Sequence, residues 1–178
     1  MSVFTNPASS SKEQGQAYTA AILDLLGDTD PMSVLKATAA KLKEAIAGLT
    51  PAQLRKPEAP GKWSIAAVVR HLADSEIVWG WRLRMVLAHD RPAITGYDQD
   101  AWADRLGYIE ADAQEALAEF EVLRAGNLRL LRRCSAEDLA RFGVHAERGE
   151  ESVAHMMKMY AGHDLLHLRQ MERIRHLL

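Results

Sequence analysis

Two histidines lie four residues apart near the end of the chain, in the segment AGHDLLHLRQ at positions 161–170. An α-helix turns about 100° per residue, so His163 and His167 share one helix face with their rings about 6 Å apart, a separation that one metal ion can bridge. The same face carries Met156, Met159, Tyr160, Leu166, Met171 and Ile174. The two imidazoles therefore face the core, either as metal ligands or as core histidines that are hydrogen-bonded to their neighbours.

A third histidine, His71, lies in the segment VVRHLADSE. On a helical wheel it falls at the edge of an apolar stripe formed by Ile65, Val68, Leu72, Trp79 and Leu83. In a helix bundle such an edge meets the neighbouring helix, so His71 can reach His163 and His167. Three neutral imidazoles can bind a divalent ion and leave coordination positions open, which is typical of a catalytic metal site.

The other histidines and the cysteine are weaker candidates for chemistry. His89, His155 and His176 fall near helix ends or on the flank of the apolar stripe, whereas His145 lies in a loop that can fold over a pocket. Cys134 ends the third long helix with no histidine beside it in sequence, which makes it a poor nucleophile. No Ser-His-Asp or Cys-His signature is visible, so a metal is the expected source of reactivity.

Two charged residues interrupt apolar helix faces. Glu76 falls between Val69 and Leu83 on its wheel, and Arg124 falls among Leu117, Phe120 and Leu128. Burying either charge alone is costly, so we expect the two to form a buried ion pair. A catalytic carboxylate at Glu76 is the alternative.

Composition favours helices and a reducing compartment. Ala and Leu number 50 of 178 residues against 16 for Val and Ile, whose branched side chains lose freedom in a helix. The net charge of −2 has no basic block, which argues against nucleic acid as a partner. A single cysteine, no signal segment and no apolar run near 18 residues predict a cytoplasmic protein without a membrane span.

The hydrophobic periodicity predicts one domain, residues 13–178, after a flexible tail at residues 1–12. A short helix closes at Gly27, and four long helices follow at 31–47, 64–88, 111–133 and from 150 to the C-terminus. Asp30 and Ser64 are the expected N-caps, and Trp63 is expected to pack on Val68. A long crossover with one short helix covers 89–108, a capped turn begins at Ser135, and RFGVHAERG is expected to be a loop. Four long helices with one long crossover indicate an all-α four-helix bundle.

The segment GKWSIAAVVRHLADSE, followed downstream by AGHDLLHLRQ, resembles the DinB-like superfamily, specifically its DinB_2 branch of metal-dependent enzymes. The resemblance runs from about Asp30 to the end of the chain. It implies a four-helix bundle with up-down-down-up connectivity, commonly dimeric, with His71, His163 and His167 as ligands of one divalent metal ion. Zinc, nickel and manganese occur in the family, and characterised relatives include thiol-S-transferases and a thiol-dependent isomerase.

Three functions stay open at this point. The preferred one is an enzyme that transfers or adds a low-molecular-weight thiol to a small electrophilic substrate, with the thiol as cosubstrate. A hydrolase using metal-bound water would need the same ligands. The third is a non-catalytic role, as a metal-stabilised stress-response or binding protein, or as a metal-free interaction module. A homodimer is expected in each case.

Overall fold

The computed structural model describes residues 12–178, where the chain forms eight α-helices and three short strands. The helices are α1 (Lys12–Leu26), α2 (Pro31–Ile46), α3 (Pro51–Leu54), α4 (Ile65–Ala88), α5 (Gln99–Arg105), α6 (Ala113–Leu131), α7 (Ala136–Ala140) and α8 (Val153–His176). The strands are β1 (Ala93–Ile94), β2 (Phe142–His145) and β3 (Gly149–Ser152), and a 3₁₀ turn spans Tyr108–Glu110. The predicted tail lies outside the described residues except for Lys12, with which α1 begins. No helix in the described chain is long and apolar enough to cross a membrane.

The four long helices α2, α4, α6 and α8 form the bundle, and pairs of contacts give their directions. Helix α8 runs antiparallel to α4, because His71 lies beside His167 whereas Trp79, two turns later, stacks on Tyr160. Helix α6 runs parallel to α4, as the ordered pairs Arg70–Glu119 and Arg84–Asn127 show.

Helix α2 runs parallel to α8. Thr38 contacts Asp164 near the middle of both helices, and Arg175 donates a hydrogen bond to the carbonyl of Ala45, about two turns further along α2 and three turns further along α8. The order along the chain is therefore up-down-down-up, which confirms the predicted bundle and its connectivity. Parallel neighbours α4 and α6 need the long crossover between them, since a tight turn can join only antiparallel helices.

Helix starts follow the chemistry expected from the sequence. Asp30 and Ser64 accept hydrogen bonds from backbone amides of the first turns of α2 and α4, as predicted. Helices α6 and α8 begin after Asp112 and Ser152, which cap them in the same way and displace both starts by a few residues from the predicted 111 and 150.

The expectation of a plain loop at RFGVHAERG was wrong. Residues 142–145 form β2, which pairs antiparallel with β3 and parallel with β1 from the crossover. These strands have two to four residues, too few to produce a readable hydrophobic alternation. Gly143 permits the pairing, because a Cβ there would lie 2.8 Å from Cδ1 of Ile94.

A polar layer crosses the bundle between two apolar clusters. One cluster gathers around Leu42, Val69 and Phe120, and the other around Leu35 and Leu83. The layer between them contains the three histidines named above and a buried charge cluster, consisting of Thr38, Glu76, Arg124, Asn127 and Asp164.

Arg124 is the centre of that charge cluster. It contacts the other three long helices: Nη2 lies 2.8 Å from Oε1 of Glu76 on α4, and Nη1 lies 2.7 Å from Oδ2 of Asp164 on α8 and 2.9 Å from the carbonyl of Leu35 on α2. The predicted Glu76–Arg124 ion pair is confirmed, and Asp164 is a second carboxylate that the sequence did not reveal. Burial raises the pKa of Glu76, although Arg124 opposes the shift.

We expect the Arg124 pairs to contribute strongly to stability. Arg124→Met should lower the free energy of unfolding by on the order of 3–5 kcal/mol, because two carboxylates are left buried without their cation. Glu76→Gln should cost less, since Asp164 stays paired. Denaturant melts of the singles and the double variant give the coupling energy, expected at about 1–3 kcal/mol. The exposed pair Arg173–Glu58 supplies the control: Arg173→Met should cost less than about 1 kcal/mol. Strict additivity of the Glu76 and Arg124 variants would rule out their coupling.

Helix α1 docks on α8 through a close backbone approach at Gly162. A Cβ added there would collide with Cγ2 and the carbonyl oxygen of the buried Ile22. We therefore expect Gly162→Ala to displace α1 and to cost about 1–3 kcal/mol in thermal or denaturant melts. Gly126 is the matched control in α6, since its added Cβ meets nothing closer than 3.8 Å. Gly126→Ala should be neutral or stabilising by up to about 1 kcal/mol; equal costs for the two variants would contradict the tight docking of α1.

Candidate metal centre and cavity

The structure brings the three predicted histidines together. Nε2 of His163 lies 3.0 Å from Nε2 of His71 and 3.1 Å from Nε2 of His167. Helix α4 supplies His71, and helix α8 supplies His163 and His167, which lie on the same face of that helix. In the part of the chain whose side chains are described, these three histidines lie close enough together to hold a metal ion.

Burial keeps all three imidazoles neutral near pH 7. It holds the pKa of His71 and His163 well below the usual value of 6.5, and it lowers the pKa of His167 to about 4. The other two rings lower the pKa of His71 further, whereas Gln170 and Asp164 partly oppose the shift at His167. Neutral imidazole is the form that binds metals.

Hydrogen bonding indicates which nitrogens face the centre. Nδ1 of His167 lies 2.9 Å from Oε1 of Gln170, and an amide oxygen can only accept, so Nδ1 carries the proton and the Nε2 lone pair faces the other rings. The ring of Trp63 stacks beside His167 and lies 4.9 Å from the ring of His71, so it shields them on one side. The packing of Trp63 on Val68 stays a prediction, and the structure adds this contact of Trp63 with the imidazoles.

The residues present fit a divalent cation. If each imidazole carries its proton on Nδ1, three lone pairs converge on one point, and a cation there relieves their repulsion. Two nitrogens bound to one tetrahedral zinc ion at about 2.1 Å are roughly 3.4 Å apart, a few tenths of an ångström more than the separations from His163 of 3.0 and 3.1 Å. Three protein ligands also leave room for water or substrate.

A cavity of about 90 Å³ adjoins the histidine cluster, and His163 forms part of its wall. Its neutral polar lining is provided by Tyr18, Ser75, Tyr97, Gln99 and Tyr160. Ser75 links the lining to the histidines, because its hydroxyl lies 3.4 Å from Nε2 of His71 and 3.5 Å from the hydroxyl of Tyr97. Burial raises the pKa of Tyr97 and raises that of Tyr160 to about 12, so both phenols keep their protons near neutral pH.

The cavity also contains four charged side chains, namely Arg82, Glu147, Arg148 and Glu151. Arg148 and Glu151 form a two-pronged ion pair with distances of 2.5 and 3.1 Å. Arg82 donates to the carbonyl of Thr95 at 2.7 Å and has no carboxylate within ion-pair distance among the side chains of residues 15–178. Two arginines and two glutamates therefore line the cavity, and Arg148 and Glu151 form the ion pair among them.

The weaker sequence candidates lie away from the three histidines. His89 and His176 are exposed and His155 is half-buried. His145 is buried beside the cavity, where its ring approaches Gly96, but it does not join the cluster. Cys134 lies at the end of α6 outside the cavity wall, and burial raises the pKa of its thiol, which agrees with its expected lack of nucleophilicity.

Sequence reasoning missed several residues of the site. Ser75 and Arg82 follow His71 by four and eleven residues, spacings that return to the same helix face, so the wheel could have identified them. Asp164 follows His163 directly and pairs with Arg124 on α6. Its role as a buried ion-pair partner can be recognised only when the position of α6 is known. Tyr97 comes from the crossover, whose position relative to α4 no local pattern indicates.

Comparison with known proteins agrees with this geometry. A family model for the DinB superfamily matches residues 35–171, and the chain belongs to that superfamily. A protein of Bacillus subtilis named "Putative metal-dependent hydrolase YfiT" is 30% identical over 146 residues, covering 80% of this chain and 82% of that protein. A relative from Oceanobacillus iheyensis with the same description is 32% identical over 127 residues, covering 71% and 73%.

A solved structure is similar as well. YfiT from Bacillus subtilis, described in the name of its structure as a probable metal-dependent hydrolase with an unusual four-helix bundle topology, superposes with a TM-score of 0.73 at 29% identity. The match covers 80% of this chain and 84% of YfiT. The connectivity derived above from helix contacts is therefore shared with a relative.

The buried His145 gives an expectation for pH dependence. Burial lowers its pKa to about 4, so the unfolded chain binds the proton more tightly than the folded one. Its contribution to stability is present above pH 6.5 and is lost as the pH falls toward 4, by about 2 kcal/mol between pH 7 and pH 5. His145→Asn, whose side-chain oxygen can replace Nδ1 as acceptor for the Glu147 amide, should make the pH dependence of unfolding shallower over that range, while the three clustered histidines still contribute to it. The exposed His89→Asn is the control, and an equally steep dependence in both variants would contradict the expectation.

Proposed function

We propose that the protein is a metal-dependent hydrolase of a small substrate, with one divalent cation held by Nε2 of His71, His163 and His167. The observation that carries the proposal is the convergence of three neutral imidazoles, two of them buried and the third, His163, half-buried at the wall of a polar cavity. The descriptions of the two relatives support the same class of reaction.

A divalent ion at this position would act as a Lewis acid and would lower the pKa of a coordinated water toward neutrality. The surrounding residues have distinct parts. Gln170 fixes the tautomer of His167, and Trp63 excludes water from one side of the imidazoles. The hydroxyls of Ser75 and Tyr97 lie at the junction of histidines and cavity, where they can donate hydrogen bonds to a substrate carbonyl or accept a hydrogen bond from an incoming water.

The absence of a protein nucleophile at the cavity favours chemistry at a metal. Cys134 is remote from the cavity, and Ser75 has no histidine free to act as its base, since the nearby Nε2 of His71 faces the other two imidazoles. The carboxylate of Glu76 is bonded to Arg124 and Asn127 and does not line the cavity, so its role is structural. We therefore assign the reacting centre to the three histidines.

Thiol transfer, the reaction preferred from the sequence, uses the same ligands with a thiolate in place of water. None of the relatives named above is described as a thiol transferase, and hydrolysis is therefore placed first. A purely structural metal is disfavoured because His163 forms part of a cavity wall and three ligands leave coordination positions open.

The metal assignment is tested by metal content and affinity. The wild type should bind about one zinc, nickel or manganese ion per chain, and the variants His71→Ala, His163→Ala and His167→Ala should each bind at least about tenfold more weakly. The half-buried His155→Ala, on the same helix α8, should bind as the wild type does. Full metal retention by any of the three variants with an intact fold would remove that residue from the ligand set.

The reaction is tested with a panel of aryl esters and amides, assayed with and without several cellular thiols. Hydrolysis predicts turnover that needs metal, is abolished by a chelator and is indifferent to thiol. Turnover that requires a thiol would establish thiol transfer instead. Metal binding without either activity across the panel would favour the non-catalytic role.

A further inference from the structure

One cation in the cavity lacks an anionic partner. Arg82 lies on α4 and is 7% exposed. Its guanidinium has five N–H donors, but within the described chain it makes one hydrogen bond, to the carbonyl of Thr95, and its Nε is buried with no acceptor. A buried cation of this kind is costly unless something else satisfies it.

The two carboxylates of the cavity balance its two arginines in number, but neither forms an ion pair with Arg82. Glu151 is committed to Arg148 by two hydrogen bonds, and Glu147 lies beside Gly96. The remaining polar groups around Arg82 in the cavity are the phenols Tyr97 and Tyr160, which are neutral. The cavity wall therefore presents a buried guanidinium with unused N–H donors, none of which meets a carboxylate within ion-pair distance among the described side chains.

The position of Arg82 relates it to the candidate metal centre. It follows His71 by eleven residues on the same helix face, about 16 Å along the axis, and helical side chains lean back toward the N-terminus. Both Arg82 and His163 line the same cavity. A molecule that reacts near His163 can thus place a second group at Arg82, on the order of 10 Å away.

We infer that Arg82 binds a carboxylate of the substrate, so that the protein acts on small acids bearing the reactive carbonyl several bonds from that carboxylate. The part of the inference that concerns the reacting carbonyl rests on the proposed function, whereas the carboxylate site at Arg82 does not. The planar guanidinium fork donates hydrogen bonds to the two oxygens of a carboxylate. The two glutamates of the cavity wall would repel a phosphate dianion more strongly than a carboxylate monoanion.

The kinetic test compares acidic with neutral esters. The p-nitrophenyl half-esters of succinate, glutarate and adipate are set against p-nitrophenyl butyrate. Arg82→Gln should lower kcat/KM for the best half-ester about tenfold to a hundredfold, mainly through KM, and should leave the butyrate within about twofold. Arg141 is the matched control. Like Arg82 it donates hydrogen bonds to backbone carbonyls, in its case those of Val86 and His89 at the end of α4, but it does not line the cavity. Arg141→Gln should change neither substrate by more than about twofold.

A binding test decides the question even if no ester is hydrolysed. Calorimetry with monomethyl glutarate is performed on His163→Ala, which lacks one proposed metal ligand, and on the same protein carrying Arg82→Gln. We expect binding in the first and at least about tenfold weaker binding in the second. Equal binding would overturn the inference, whatever the activity, and tighter binding of inorganic phosphate than of the carboxylate would overturn its assignment to carboxylic acids.

Arg82→Lys covers the case in which loss of the Thr95 contact prevents Arg82→Gln from folding. Lysine retains the charge and one donor but loses the fork, so it should weaken half-ester or monomethyl glutarate binding by about three- to tenfold. Melting curves confirm the fold of each variant. Binding by a folded Arg82→Lys protein that equals the wild type would contradict the proposed two-pronged contact.

Discussion

The arrangement of the bundle depends on the guanidinium of Arg124. From α6 it reaches a carbonyl of α2 and carboxylates of α4 and α8, while its flat face lies 4.6 Å from the centre of the Phe120 ring. A buried ionic group is tolerated only when its partners are in place, so these hydrogen bonds fix the relative heights of all four long helices. Apolar packing alone specifies height less strictly, since leucine and alanine side chains can slide past one another at small cost.

The position of the histidines follows from that constraint. Asp164 bonds to Arg124, and its neighbours His163 and, one turn later, His167 are thereby held level with His71 on α4. Placing the cluster inside a polar layer between two apolar clusters keeps the imidazoles neutral, while His163 stays accessible from the cavity. The buried ion pairs of Arg124 and the positions of the three histidines therefore depend on the same contact between α6 and α8.

The cavity is formed by elements added around this layer. Helix α1 contributes Tyr18, the crossover contributes Tyr97, and the β2–β3 hairpin contributes the Arg148–Glu151 ion pair. These segments are held against the bundle by a few contacts, such as that of Gly162 with Ile22. Because they supply much of the cavity lining, we expect them to determine substrate preference. The identity of the metal and the homodimer stay predictions.

Much of the fold and the grouping of the three histidines was available from the sequence. Helical periodicity and the caps Asp30 and Ser64 predicted the long helices, and the spacing of His163 and His167 with a third histidine at the edge of an apolar stripe predicted that the three would meet, because these signals are local or repeat every turn. Asp164 as partner of Arg124, the strand pairing of β2 and the unpaired charge of Arg82 were decided by tertiary structure. Each depends on which distant segment lies opposite, and that is set by packing between helices and by the burial of charge, which a single chain segment does not encode.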